Sequence, residues 1–430
     1  MAGWRDEHWP ASDLTMIPQR ERRSGHYRAY VPDPLGGRPL RVDPALADLA
    51  SDAEKAVRSV ATEPGATGLE GLSRFLLRSE AIASSLIEGV APGAQQVALA
   101  ELAQVEDLHG FSEQARLVAN NITVLGDAAG RLAHAEHVTL PDIDALHRAL
   151  LPDEKHHGIR RVQNWIGRSS YHPLDAAFVP PPPDLAPPMI DDLVQYMNGS
   201  IHAPLIQAAL VHAQFETIHP FTDGNGRVGR ALIHTVLTRR GLTSESVLPI
   251  SLVLATLSDH YIGGLTSYRY DGPADTDAAH RGVDGWLRVF LEASIVAAEQ
   301  ARLVSTDVLQ LTYEWDARVR SSRSDRGLRG APRADSVSAR LLARLPEAPV
   351  VTLSTVQRIL DVSDVAARAG LDELTAAGVL TRKKLGANIV GFVAKEVFDV
   401  LGHAERQLAS TQFDTRAIPP SRPVPARRDS

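Results

Sequence analysis

The chain has 430 residues, 44% of them hydrophobic, which is enough for a sizeable core divided between two or three domains. Its formal net charge of -7 excludes a generally basic nucleic-acid-binding surface, and its Cys count of 0 excludes disulfides, thiolate metal sites and a cysteine nucleophile. The opening MAGWRDEHWPASDL lacks the apolar core of a signal peptide and no apolar run is long enough to span a bilayer, so a cytoplasmic protein without membrane contact is expected.

Residues 1–43 carry turn signals at Pro32-Asp33-Pro34 and Gly36-Gly37, and read as an irregular arm. A helical region follows over 44–133. Leu72, Phe75, Leu76, Ile82 and Leu86 recur at helix spacing, and Gly89 and Pro92 stop that helix. Further helices are expected over Gln95 to Ala133, in more than one piece, and over Leu140 to Leu151. Between Gly158 and Pro188 the pattern breaks. Residues 164–183 end in Pro180-Pro181-Pro182-Pro183 and read as a surface loop or hairpin. Helices resume over Met189 to Met197 and Ala203 to Thr217. Another begins within the stretch His219 to Arg230 and runs to Gly241, and others cover Leu257 to Thr266 and Val283 to Trp315.

The domain expectation is a central core over 134–303, a helix or linker over 304–335, a small unit over 336–408 and a disordered tail over 409–430. In the small unit, helix, turn, helix and hairpin signals succeed one another from Val351 to Phe392. Gly386-Ala387-Asn388 is the hairpin turn. The fold class is therefore mainly α-helical, with a hairpin flap and a C-terminal winged helix-turn-helix. The second helix of that unit offers only Arg368 beside Asp364, and the wing only Arg382-Lys383-Lys384. DNA binding and docking to a protein, including a second copy of the chain, both stay open.

The chemistry concentrates in HPFTDGNGRVGR, His219 to Arg230. One helix delivers His219, and Pro220 ends it. Gly224 and Gly226 let backbone N–H groups approach a ligand, and the next helix points its positive end at the same place. Arg227 and Arg230, three residues apart, share one face and suit phosphate oxygens. Asp223 would repel a bare polyphosphate and fits as a Mg²⁺ ligand, since that ion binds phosphates together with one or two carboxylates. His219 is then placed as a general base. The residues point to a nucleotide-polyphosphate site. A polar interhelical loop explains each residue singly but not the set. A di-iron site from Glu216/His219 and Glu154/His157 is the other reading of the histidines. Pro220, and the loop character around Pro152 and Gly158, weigh against it.

At these residues the sequence resembles the Fic family, whose signature His-Pro-Phe-x-(Asp/Glu)-Gly-Asn-Gly-Arg-x-x-Arg is met at every fixed position. The similarity extends over roughly Pro44 to Leu303. The resemblance implies a protein adenylyltransferase that moves AMP from ATP to a Tyr, Thr or Ser hydroxyl of a protein, its own chain included. His219 would take the hydroxyl proton and Asp223 would hold Mg²⁺. Gly224, Asn225 and Gly226 would cradle the α- and β-phosphates, with a side-chain contact from Asn225. Arg227 would bind the β-phosphate side and Arg230 the γ-phosphate. Residues 164–183 fall where the family carries a target-clamping flap, and Tyr261 would border the adenine or simply pack. Upstream, Ser84-Ser85-Leu86-Ile87-Glu88-Gly89 resembles the family's inhibitory motif (Ser/Thr)-x-x-x-Glu-(Gly/Asn), which implies that Glu88 pairs with Arg230 and competes with the γ-phosphate. Removal of AMP with Glu88 activating water, another nucleotide donor, and a DNA-binding regulator that only senses a nucleotide are the alternatives.

Overall fold

The computed structural model describes residues 1–38, 40–62, 72–167, 169–199, 201–243, 247–328, 330–385 and 389–412. The hairpin turn expected at 386–388 and most of the tail expected at 409–430 lie outside them. Among the described residues no helix is long and apolar enough to cross a membrane.

The expected irregular arm is instead an antiparallel ribbon of β1 (Gly3–Trp9) and β2 (Gly25–Val31), with Trp4 opposite Tyr30 and Trp9 opposite Gly25. Both strands are largely polar and exposed, so alternation does not reveal them. The ribbon is fixed by its end. Ala29 and Tyr30 are buried, the Tyr30 N–H donates to the Val179 carbonyl at 2.9 Å, and its hydroxyl donates to the Tyr270 carbonyl at 2.6 Å.

The helices then follow in order: α1 (Pro44–Thr62), α2 (Leu72–Ile87), α3 (Ala94–Ala103), α4 (Glu113–Asp127), α5 (Leu140–Leu150), α6 (Ala186–Asn198), α7 (Pro204–Ile218), α8 (Asn225–Arg239), α9 (Ile250–Thr256), α10 (Ser258–Tyr268) and α11 (Asp277–Asp325). Every residue of α7 is buried. A helix apolar on nearly all sides belongs at the centre of a bundle, and α8, α6 and α11 pack around this one. The largest apolar cluster joins α7 to these neighbours through Leu210, Phe215, Leu232, Trp286 and Phe290.

Helix α11 is 49 residues long. It continues well past Trp315, through the first part of the stretch expected as linker. Val304, Val308, Leu311, Trp315 and Val319 recur at three- and four-residue steps, and they line a second core with Leu341, Val356, Leu371 and Phe392. That core belongs to α12 (Val337–Arg344), β3 (Val350–Thr352), α13 (Leu353–Leu360), α14 (Asp364–Ala376), β4 (Thr381–Lys384), β5 (Val390–Val393) and α15 (Lys395–Gln412). The sheet order is β3-β5-β4, all antiparallel. Thr352 and Ser363 cap α13 and α14 by accepting from the amides of Thr355 and Ala366. The final helix α15 runs into the region expected as a disordered tail and ends at Gln412, because Val397, Leu401, Ala404 and Leu408 bury one face.

Candidate active site

Helix α7 ends on His219, which adopts the left-handed conformation (φ 50°, ψ 61°) and donates its N–H to the Phe215 carbonyl at 2.8 Å. Such a conformation in a residue other than glycine is strained and persists only where surrounding bonds hold it. Here they are explicit. The His219 carbonyl accepts from Arg160 Nε at 2.9 Å and Asn164 Nδ2 at 3.3 Å. Arg160, itself buried, also donates to the carbonyls of Pro181 and Ile218. Its own N–H donates to the Pro220 carbonyl at 2.8 Å.

The turn to α8 is closed by Asn225. Its Oδ1 accepts from the Phe221 N–H and its Nδ2 donates to the Phe221 carbonyl, both at 2.8 Å. The Asn225 side chain is buried, and its two bonds to Phe221 close the loop while leaving one amide N–H and one oxygen lone pair. Gly224 has φ 75°, and a Cβ there would meet Leu150 at 2.9 Å. His147 stacks on Phe221 (centroids 4.0 Å apart, 7° between planes) and reaches the Asp223 carbonyl from Nε2 at 3.1 Å.

The site is strongly cationic at its floor. Arg227 and Arg230 are both buried. Arg227 Nε and Nη1 are buried without a hydrogen-bond partner, an arrangement costly unless an anion completes it. Asp223 stands at the rim, 65% exposed, with Oδ1 3.8 Å from Arg227 Nη2. Among the described residues no three His, Asp or Glu side chains cluster as a self-sufficient metal site. A single solvent-facing carboxylate beside the unpartnered Arg227 donors nevertheless fits Mg²⁺ bound together with a polyphosphate, since that ion takes most of its remaining ligands from phosphate and water.

Arg230 is occupied by α2. Its Nε donates to Ser84 Oγ at 2.9 Å, and its Nη2 donates to the Ser84 carbonyl at 2.7 Å and to Glu88 Oε1 at 2.8 Å. Gly89 follows with φ 75° and ends the helical segment. The Glu88 carboxylate also lies over the start of α8: a Cβ placed on Gly226 would fall 1.9 Å from Glu88 Oε1. The space that glycine clears for an anion therefore holds a carboxylate. Burial alone would raise the Glu88 pKa, but the Arg230 guanidinium outweighs it, with Arg227 and His219 adding, and the net shift is downward.

His219 is held neutral. Burial is the main cause, Arg160 and Arg269 add to it, and Glu88 opposes it, which leaves a pKa of about 4. Its Nδ1 is buried, 3.8 Å from Glu216 Oε2, so Nε2 is the nitrogen open to a substrate. Glu216 is pushed up to about 7, by burial first, with Arg230 opposing and Glu88 adding.

The structure thus brings together His219, Asp223, Gly224, Gly226, Arg227, Arg230, Ser84 and Glu88 as the sequence suggested. Tyr261 is a packed residue, its hydroxyl 2.9 Å from His212 Nε2. Of the proposed di-iron pairs, His157 directs Nε2 to the Leu151 carbonyl at 2.8 Å. The flap segment forms a narrow hairpin at the Ile166–Phe178 bridge. Trp9 of the N-terminal ribbon packs edge-on against Trp165, and Glu21 accepts from Ser169. Sequence reasoning missed Arg160, Asn164 and His147 as supports. Arg160 and His147 carry no motif of their own, and their partners are carbonyls and a ring distant in sequence.

Residues 137–237 match the Fic/DOC family. A probable protein adenylyltransferase of Aquifex aeolicus is 41% identical over 68 residues, 16% of this chain and 21% of the relative. The protein adenylyltransferase fic-1 of Caenorhabditis elegans is 30% identical over 132 residues, 29% of this chain and 23% of the relative. The chain thus spans between a fifth and a quarter of the length of these relatives. A crystal structure of a Fic family protein from Desulfovibrio desulfuricans aligns over 83% of this chain and 98% of its own, with 20% identity and a TM-score of 0.50, which is agreement in fold.

Proposed function

We propose that this chain, a Fic-family protein by its domain at residues 137–237, is a protein adenylyltransferase that moves AMP from ATP to a hydroxyl side chain, its own included. The observation that carries the reading is the anion cradle at the start of α8. Gly226 leaves room for an anion, Arg227 next to it holds two buried unpartnered donors, and a neutral His219 stands at its edge.

In this reading the triphosphate lies along the N-terminus of α8, with Arg227 on the β-phosphate side and Arg230 on the γ-phosphate. His219 Nε2 accepts the proton of the target hydroxyl. The hydroxyl oxygen bonds to the α-phosphorus, the bond from that phosphorus to the bridging oxygen breaks, and pyrophosphate leaves. Asp223 would hold Mg²⁺, which supplies charge neutralisation on the phosphates. The chain's own contribution is orientation and a fixed positive field. Arg160 and Asn164 keep the strained His219 backbone in place, so the base meets the hydroxyl without reorganisation. The flap, braced by the N-terminal ribbon, would present the target segment.

The Glu88–Arg230 contact supports autoinhibition, because Glu88 occupies the cradle and takes the guanidinium the γ-phosphate needs. The C-terminal unit has the element order of a winged helix. Arg368 pairs with Asp364, and Arg382 pairs with both Asp372 and the face of Phe392. Both of these arginines thus have partners of their own, which favours docking to protein over reading DNA.

The test is transfer of label from α-labelled ATP with Mg²⁺. Glu88→Gly should label itself well above wild type, and adding His219→Ala should cut that rate by roughly 10²–10⁴-fold, the span of general-base catalysis. Undiminished labelling without His219 would overturn its role as base.

A further inference from the structure

Helix α2 has two ends. Ser84 and Glu88 grip Arg230 at one. At the other, the helix reaches the C-terminal unit. Leu72, Phe75 and Leu76 are buried in the apolar cluster that α11 shares with Leu341, Val356 and Phe392 of that unit. Arg78, 2% exposed, donates from Nη2 to the Glu347 carbonyl at 2.7 Å and from Nη1 to the Pro346 carbonyl at 3.4 Å, in the loop between α12 and β3. Arg78 and Arg74 also share the carboxylate of Glu101 on α3, at 2.9 Å from Arg78 Nη2 and 2.8 Å from Arg74 Nε.

Helix α3 is bound to the same unit. Ala98, Leu99 and Leu102 pack on Val350, Leu385 and Val393. Beyond its end, Glu106 accepts from the Thr352 hydroxyl at 2.8 Å and from the Thr355 hydroxyl, at the first turn of α13. The inhibitory segment, from Leu72 to Glu106, is therefore clasped on both sides of Glu88 by one small unit.

Between the two ends of α2 lies a fixed point. The Glu80 carboxylate, wholly buried, accepts the Ser251 N–H at 2.8 Å and stands 3.1 Å from His234 Nε2. Arg78 lies six residues before Ser84, about 9 Å of helix rise. A continuous helix held at its middle turns a shift of one end into a shift of the other.

We infer that the C-terminal unit is the regulatory element of the site: its clasp on α2 and α3 holds Glu88 in the cradle, and loosening that clasp releases Arg230. The inference rests on the adenylyltransferase reading for its activity readout, while its structural readout stands alone. It requires no motion of α8, whose Arg230 and Gly226 are already placed for phosphate.

The experiment compares wild type, Glu88→Gly, Arg78→Met and Glu106→Gln in the full chain. Each is followed by self-labelling with α-labelled ATP and Mg²⁺, and by amide hydrogen exchange of residues 84–88. Arg78→Met should raise labelling by about tenfold, within the range of ordinary coupling between sites. Glu106→Gln should raise it by about threefold. Both should speed exchange at 84–88. Should Arg78→Met lose its cooperative thermal transition, Glu106→Gln, which keeps the side chain's shape, decides. Labelling and exchange equal to wild type in the folded variants, with Glu88→Gly strongly labelled, would overturn the clasp. No labelling even by Glu88→Gly would overturn the transferase reading instead, and the exchange rates would then decide the clasp by themselves.

Discussion

Two carboxylate–arginine contacts involve helix α2, and they are built for opposite purposes. Glu101 is shared by Arg74 and Arg78, and Arg78 is buried and also bonded to two carbonyls. Glu88 meets Arg230 through a single 2.8 Å bond, and its own side chain is 35% exposed. The first contact has its polar atoms paired and no room for a competitor. The second leaves the carboxylate against solvent, over a glycine cradle that suits a phosphate equally well. A buried, fully bonded pair fixes a structure, whereas a pair whose acid keeps about a third of its surface in solvent can be exchanged.

The largest effect should come from breaking the fixed pair. Glu101→Ala leaves Arg78 buried without its partner and should cost about 3–5 kcal/mol of stability, read by denaturant unfolding. A loss under about 1 kcal/mol would place this pair with ordinary surface bridges. Breaking the exchangeable pair should act on activity rather than stability. Glu88→Gly should raise labelling about tenfold or more, with a smaller shift in unfolding midpoint than Glu101→Ala, because Arg230 loses one partner and keeps two bonds to Ser84. The next effect is local. Asn225→Ala removes both bonds to Phe221 and leaves its buried N–H unpaired, while its carbonyl keeps the bond from Asn164 Nδ2 at 2.9 Å; this should cost about 1–3 kcal/mol and lower labelling in the Glu88→Gly background.

The smallest effect is in pH. The folded-state pKa of Glu88 is depressed, so its bond to Arg230 is present above its ordinary carboxylate range and is lost only as pH falls through the lower folded value. Wild-type labelling should therefore stay low from pH 8 to 5. His219 sits near 4, and Glu88 is a raising influence on it. In Glu88→Gly the pKa should fall further, and labelling should show no acid limb attributable to His219 above pH 5. A limb centred near the ordinary histidine value would show that the base is not the buried His219.

Much of the site was legible in the sequence because its chemistry is local. His219, Asp223, the glycines and both arginines fall within one loop and one helical turn, so chain order implies proximity. The Ser84–Glu88 contact was legible only through resemblance, since nothing in residues 84–89 names Arg230 as partner. What stayed hidden depends on tertiary placement. The role of Asn225 in closing the loop on both backbone groups of Phe221 is not readable from the motif. Arg160 looks like one surface arginine of a pair, yet it is buried and braces the base through carbonyls gathered from separate loops. The N-terminal ribbon has no apolar alternation because its strands cover little beyond Ala29 and Tyr30. The length of α11 was partly legible: a helix was expected through Trp315, and Val319 keeps its spacing into the stretch from Arg318 whose Arg, Ser and Asp content suggested a linker or a frayed helix end.

The measurement that bears most directly on the account is the intact mass of the Glu88→Gly chain after incubation with Mg²⁺ and ATP, beside the same chain carrying His219→Ala. The account predicts one or more added AMP groups on the first and none on the second. An unchanged mass on the first, or the same adduct on both, would contradict it.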